Sequence, residues 1–419
     1  MELSKGENSR VVVIGAGIVG VTCALTLQRE GHSVILIDRH EPGDACSFGN
    51  AGILTATECV PYALPGFLPH VPGWLLNPLG PLAVRPRHLP RMAKWGLRFT
   101  RESAPHRVEE ISRDLRAFYR SSVELYRELL ASVDKPDLLQ TTGYLAVYRD
   151  EAASKRDAFA WDLTRRGGVL LETIRGHQLR DMVPALSPDL TYGVFVPEEG
   201  YVRNPHRVVT ALAERFSVDG GTILQREARG FQSANGRVLA VETDQETLRA
   251  DHVVLSAGAW STSLASDLGA RVLIESMRGY HFMLPDPEIE LPLPVLSGEF
   301  KFFATPMEDG LRLAGTAEFA GLHWPANYAR ADKLAKAAQT IFPGLRTAGG
   351  SRWMGHRPMT PDSLPIIGPS PKFQNAVLAF GHGHNGLSGA PITGFIVADI
   401  IAGRPPAIDL APLSPTRFD

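Results

Sequence analysis

Glycines that punctuate two buried strands leave a chain few ways to fold, and this chain carries such a pattern near its start. Arg10-Val-Val-Val-Ile-Gly15-Ala-Gly17-Ile-Val-Gly20 is followed by Val34-Ile-Leu-Ile-Asp38. The run Val11 to Ile14 reads as a short buried strand. Gly15 permits a tight turn, Gly17 leaves room for a pyrophosphate against the backbone, and Gly20 lets the next helix pack closely on the strand. Val19, Ala24, Leu25 and Leu27 give that helix its apolar residues, and Gly31 ends it. A second strand ends at Asp38, where a carboxylate can accept hydrogen bonds from ribose hydroxyls. Strand, glycine turn, helix, strand and acid fall in the order a dinucleotide site requires.

The rest of the chain must be compatible with that unit. Its 419 residues suggest two or three domains, and a net charge of −2 gives no field that would favour nucleic acid. Cys23, Cys46 and Cys59 form no C-x-x-C pair, so neither a metal site nor a disulfide framework is expected, and a reduced cytoplasmic setting fits. Met1 to Arg10 is polar, without the apolar core of a signal peptide.

After the first βαβ unit comes Gly43-Asp-Ala-Cys-Ser47-Phe-Gly49-Asn50-Ala51-Gly52-Ile53, a loop whose backbone N–H groups and Ser47 hydroxyl can meet phosphate or a ring. Cys59 to Val84 has no charged side chain and six prolines, and so cannot be one regular helix. Arg85, Arg87, Arg91, Lys94, Arg98 and Arg101 follow before the next acid. If Pro90 opens a helix, Arg91, Lys94, Arg98 and Arg101 share one face, with Met92, Trp95 and Phe99 on its neighbour. Two readings stay open: an apolar loop and basic helix that hold an anionic membrane surface, or a loop packed over a second domain beside a solvated face.

Further on, the pattern predicts a helix from about Val108 to Ser132, strands at 142–148 and 192–196, helices at 151–166 and 205–216, and a hairpin at Asn235-Gly236. Val253-Val-Leu-Ser-Ala257-Gly258-Ala259-Trp260 reads as a strand end that can abut a nucleotide, with Ser261 as a helix cap. Residues 271 to 320 read as an antiparallel sheet. Residues 353–368 read as a loop fixed by proline and glycine, and the last helix as Ile392 to Ile401. The expected fold class is α/β: a Rossmann-like nucleotide domain (1–85, 155–270 and 348–419) with an inserted α+β substrate domain (86–154 and 271–347) containing an antiparallel sheet.

Three separated stretches resemble one family. The glycine turn with its acid, Arg357-Pro-Met-Thr-Pro-Asp362-Ser-Leu-Pro365-Ile-Ile-Gly368, and Gly381-His-Gly383 before a helix are similar to motifs of the FAD-dependent D-amino acid oxidase superfamily. The Ser47 to Gly52 loop and the proline-rich stretch after it resemble the bacterial D-amino acid dehydrogenase branch. The run Gly383-His384-Asn385-Gly386-Leu387 departs from the alanine-type dehydrogenases, which leaves room for cyclic imino acids such as hydroxy-D-proline. No cysteine lies in 353–368, where related sarcosine oxidases attach flavin, so FAD is expected to be non-covalent.

The resemblance implies a cofactor set of Gly15, Gly17, Ile18, Val19, Gly20, Asp38, Arg39, Ser47, Asn50, Ala51, Gly52, Ile53, Ala228, Ala257, Gly258, Trp260, Gly383, His384, Asn385, Gly386 and Leu387. It places Arg357 where the family has its substrate arginine, a planar cation suited to a carboxylate. Tyr280 is a second carboxylate donor or a core tyrosine, and Arg278 beside it is ambiguous. His384 and Asn385 face the substrate amine or merely cap a helix. Glu318 lies at the substrate mouth or on an exposed strand. The implied activity is oxidation of a D-amino or cyclic D-imino acid to the 2-imino acid, which hydrolyses to the 2-oxo acid, with electrons passed to a quinone or other carrier. The alternatives are an oxygen-using amine oxidase of the glycine or sarcosine oxidase type, and a flavin-binding non-catalytic subunit.

Overall fold

The structure is a computed structural model that describes residues 9–419; the first eight residues of the polar N-terminal stretch lie outside it. Arg10–Ile14 and Ser33–Asp38 pair in parallel, as the apolar runs require, and Thr222–Gln225, His252–Leu255 and Ala376–Phe380 extend the parallel set. Ile366–Pro369 closes the six-stranded sheet antiparallel at one edge. The period of two divides these strands between two cores. Val11, Val13, Leu36, Val254 and Ala379 face helices Ile18–Arg29, Pro205–Val218, Ser122–Ala131 and Gly386–Ala402. Val12, Ile14, Ile37, Leu255 and Phe380 face the opposite layer, where the antiparallel strands Ala228–Ala234, Arg237–Thr243 and Thr247–Arg249 lie, turning at Asn235-Gly236.

The second layer system is a nine-stranded, mostly antiparallel sheet. Its order runs Ser351–Met359, Glu275–Leu284, Gly310–Phe319, Phe302–Met307, Val295–Ser297, Tyr144–Tyr148, Tyr192–Val196 and Glu172–Arg175, with Leu82–Val84 added parallel to Gly310–Phe319. Helix Ala329–Ile341 covers one face. Glu172–Arg175, Tyr192–Val196 and Ser351–Met359, which the sequence places in the nucleotide unit, therefore pair into the nine-stranded sheet. Conversely, Pro105–Tyr119 and Ser122–Ala131 pack on the final helix of the nucleotide unit.

Four local expectations change. The helix expected over 108–132 is two helices, broken at Arg120 and Ser121. Residues 351–359 form a strand rather than a fixed loop, because Pro358 lies on an edge strand where its missing N–H costs no ladder bond. Ser261 begins its helix without capping it, and its hydroxyl has no partner. The last helix starts at Gly386, with Pro391 inside it. Proline there removes the bond to the carbonyl four residues back, and Tyr126 Oη donates to that Leu387 carbonyl instead, at 2.8 Å.

The uncharged stretch is neither wholly buried nor wholly free. Phe67 stacks on Trp74 with ring centroids 5.9 Å apart, and Trp74 and Leu75 border a core of Val84, Met92 and Trp95. Leu68, Leu76 and Leu97, on the loop and on helix Leu89–Glu102, are 58, 83 and 75% exposed. Arg91, Lys94 and Arg101 of that helix are exposed, but Arg98 turns inward to pair with buried Glu102. Trp95 Nε1 donates to the Met359 carbonyl at 3.0 Å. Among the described residues no helix is long and apolar enough to cross a membrane.

Candidate active site

The ends of the parallel strands open into a cavity of about 1140 Å³ that continues under the nine-stranded sheet. This is above the roughly 300–1,000 Å³ of common small-molecule sites, as a dinucleotide plus a substrate would need. Every residue of the expected cofactor set lines it except Gly20 and Gly52. Those two act on the backbone. A Cβ on Gly20 would stand 1.7 Å from the Gly15 carbonyl oxygen, so the glycine allows the helix to sit on the turn. Gly52 turns at φ +81, where its N–H is held by Asn50 Oδ1 at 2.8 Å.

Gly15 adopts φ +108, and a Cβ there would lie 2.5 Å from the Ser256 carbonyl oxygen; only glycine fits both demands. Asp38 accepts the Ala16 N–H at 2.7 Å and the His40 N–H at 3.0 Å, so it braces the turn as well as bordering the cavity. Ser47 Oγ accepts the Ile18 N–H at 3.0 Å, which ties its loop to the helix start. Arg312 donates to the carbonyls of Phe48 and Asn50, and His281 meets the Gly49 carbonyl at 3.1 Å while stacking on Trp353. Arg39 lies over the Trp260 ring at 4.4 Å. This glycine-lined cradle, open along the strand ends and joined to a helix start at Gly386, fits FAD.

Cys46 also lines the cavity, and burial pushes its thiol up to about 11. It is therefore a neutral side chain near neutral pH.

Arg357 lies on the edge strand Ser351–Met359, over Gly279, where a Cβ would come within 2.2 Å of the guanidinium. One nitrogen donates to the Thr316 carbonyl at 2.9 Å, and among the described residues Arg357 has no carboxylate partner. Its other donors border the cavity. Arg278 is different: it is fully buried, donates to the carbonyls of Gly321, Trp324 and Pro325, and serves the fold.

Tyr280 is corrected from ligand to framework. It borders the cavity, but its strand parity sends the side chain into the core beneath helix Ala329–Ile341. Its hydroxyl donates to Glu318 Oε2 at 2.6 Å and accepts the Asn327 N–H at 3.0 Å, leaving no donor for a substrate. Burial, with the Glu318 hydrogen bond, pushes that phenol up to about 12. Glu318 is buried between Tyr280, Arg85 and Arg278, neither at a mouth nor exposed.

His384 and Asn385 come together with a residue the sequence reading passed over, Glu58. Asn385 Nδ2 donates to Glu58 Oε2 at 2.8 Å, and His384 Nε2 stands 3.6 Å from the same oxygen. Burial opposes the Glu58 charge, yet the His384 ring beside it and hydrogen bonds from Asn385 and the Val60 N–H hold its pKa below the ordinary value. Tyr62 packs edge-on against His384 at 5.0 Å. Deeper in the wall, Glu199 accepts from Ala56 N–H, Thr57 N–H and the Thr57 hydroxyl, but burial pushes its carboxyl up to about 8. Glu58 had one signal in the sequence: it is the last charge before the uncharged stretch. Glu199 had none.

A family model for FAD dependent oxidoreductases, DAO, matches residues 10–400. The chain belongs to the DAO family of FAD-dependent oxidoreductases. It is 37% identical over 419 residues to a D-amino-acid oxidase of Bradyrhizobium diazoefficiens, covering 98% of this chain and 99% of that one. It is 34% identical over 422 residues to a D-amino acid dehydrogenase of Paramagnetospirillum magneticum, at 98% and 99% coverage. Among solved structures it resembles glycine oxidase of Bacillus cereus (TM-score 0.74, 21% identity, 97% of each chain) and L-proline dehydrogenase of P. horikoshii (TM-score 0.74, 20% identity, 98% of each chain). As a DAO-family flavoprotein it uses FAD.

Proposed function

We propose that this DAO-family protein oxidises a D-amino acid or a cyclic D-imino acid, hydroxy-D-proline among them, to the 2-imino acid. The observation that carries this reading is Arg357: an arginine without an acidic partner in the wall of the flavin cavity, suited to a carboxylate by its bidentate fork. FAD, bound without a covalent link, supplies the hydride acceptor. Arg357 fixes the carboxylate and so the face that Cα presents. The Gly383–Leu387 turn brings backbone N–H groups to a helix start, where they favour negative charge. The imine from a primary amine hydrolyses to the 2-oxo acid and ammonia.

The electrons pass to a quinone or another carrier. Exposed Leu68, Leu76 and Leu97 beside exposed Arg91, Lys94 and Arg101 support a peripheral contact with the inner face of the cell membrane, where quinones reside. The 37% identical relative named as an oxidase favours a second reading, in which oxygen is the acceptor. Anaerobic mixing with D- and L-enantiomers of a panel of amino and imino acids tests the activity. Bleaching of the flavin by D-forms is expected, and no bleaching by any of them refutes it. Admitting air then separates the acceptors: rapid recovery of the oxidised spectrum means an oxidase, slow recovery that a soluble quinone accelerates means a dehydrogenase.

A further inference from the structure

Among the described residues the cavity wall carries an arginine, Arg357, that no carboxylate pairs and a glutamate, Glu58, that no lysine or arginine pairs. Glu58 accepts from two neutral groups, the Asn385 amide and the Val60 N–H at 3.3 Å, and the His384 ring at 3.6 Å faces it as a countercharge only when protonated. Its side chain is only 12% open, and both it and Arg357 line the cavity. A carboxylate so enclosed, faced only by an imidazole that carries charge when protonated, is costly unless a further cation completes it. Tyr62 lines the same cavity as both and packs edge-on against His384 at 5.0 Å, and besides its desolvation the Arg357 cation lowers and the Glu58 anion raises its phenol.

We infer that Glu58 is the group that receives the substrate's ammonium, so that a zwitterion bridges Arg357 and Glu58 across Tyr62. This rests on the proposed amino acid oxidation and names the ionic form and the second anchor of its substrate. Asn385 and His384 are positioning residues. They fix one oxygen of Glu58 and leave the carboxylate directed at the cavity. A substrate carrying the carboxylate alone would leave Glu58 unpaired, and one carrying the amine alone would leave Arg357 unpaired. The pair thus selects α-amino and α-imino acids against plain carboxylic acids or amines, whatever the side chain.

The test uses FAD-loaded wild type and Glu58→Gln with two kinds of ligand. Flavin reduction by D-proline and D-alanine reads amine-bearing substrates. Perturbation of the flavin spectrum by pyrrole-2-carboxylate reads a carboxylate of similar shape whose ring nitrogen is uncharged. Glu58→Gln should weaken the amine-bearing substrates about ten- to hundredfold, the range for a lost bond to a charged group, and leave pyrrole-2-carboxylate binding unchanged. Glu58→Asp, which keeps the charge, should fall between the two proteins. Equal loss for both ligands, or no loss for the amines in either variant, overturns the inference. If the wild-type flavin is bleached by no D-amino or imino acid, the activity itself is refuted and the inference goes with it; bleaching that is indifferent to Glu58 refutes the inference alone.

Discussion

Tyr126 Oη donates to the Leu387 carbonyl at 2.8 Å, the oxygen that Pro391 leaves without its helical N–H. The bond lets a proline sit inside the helix whose first turn lines the flavin cavity. Tyr126→Phe should therefore lower stability by about 1–3 kcal/mol, the cost of leaving a buried acceptor unpaired, and should reduce FAD retention. Thermal unfolding with and without added FAD measures both; an unchanged melting temperature would show that water replaces the phenol.

Arg357→Ala should weaken substrate binding by about 2–5 kcal/mol, as expected for truncating one partner of an enclosed charge pair, with FAD content unchanged. Arg357→Lys should recover only part, since an ammonium lacks the planar fork. Anaerobic flavin reduction across a substrate series is the measurement, and wild-type kinetics in the alanine variant would remove Arg357 from the site.

Asp38 carries two tasks, the Ala16 N–H at 2.7 Å and the cavity edge. Asp38→Ala should weaken FAD by about 1–3 kcal/mol and lower the stability of the apoprotein as well. Asp38→Asn, which keeps an acceptor for Ala16, should spare stability more than affinity. Titration of apoprotein with FAD alongside apoprotein melting separates the two; equal recovery of both would mean that the turn alone matters.

Four buried groups set a pH optimum for stability. Burial lowers His281 and His382 from 6.5 to about 3, and burial with the charges of Arg278 and Arg39 lowers His356 to about 4. The unfolded chain takes those protons first, so stability falls as pH drops below 6.5. Glu199 is raised from 4.5 to about 8, so the folded state holds a proton the unfolded chain has lost, and stability falls as pH rises from 4.5 through 8. Below 6.5 the three histidines outweigh one glutamate, and from 6.5 to 8 the glutamate sets the slope. Melting temperatures at fixed FAD should peak near pH 6.5, and Glu199→Gln should flatten the alkaline decline. A maximum above pH 8 would contradict these assignments.

Vesicles with anionic lipid should pellet the protein at low salt and release it as salt rises. Charge reversal at Arg91 and Lys94 should abolish binding, and Leu76→Ser should weaken it. Arg98 is unsuitable as a probe, because it pairs with buried Glu102. If wild type stays in the supernatant at low salt, the acceptor is a soluble one.

The nucleotide unit was legible because its signals are local. The spacing of Gly15, Gly17 and Gly20 and the acid at Asp38 each act within a few residues of themselves. The arginine motif was legible by residue type but not by form. Whether Arg357 sits on a loop or an edge strand depends on Glu275–Leu284, some eighty residues away. Tyr280 failed for the same reason, since strand parity and a partner at Glu318 decided which way the phenol points. Glu58 was missed because its partners, His384 and Asn385, lie more than three hundred residues on. Pairing over such distances leaves no periodicity to read.

Trp95 ties the basic helix to the Met359 carbonyl, two residues from Arg357 on the same strand. The basic helix and the strand that carries the proposed carboxylate anchor are thus joined by one indole bond. A surface that tilts the helix would therefore pull on the Arg357 strand through the indole bond and on strand Gly310–Phe319 through the packing of Trp95 on Phe319.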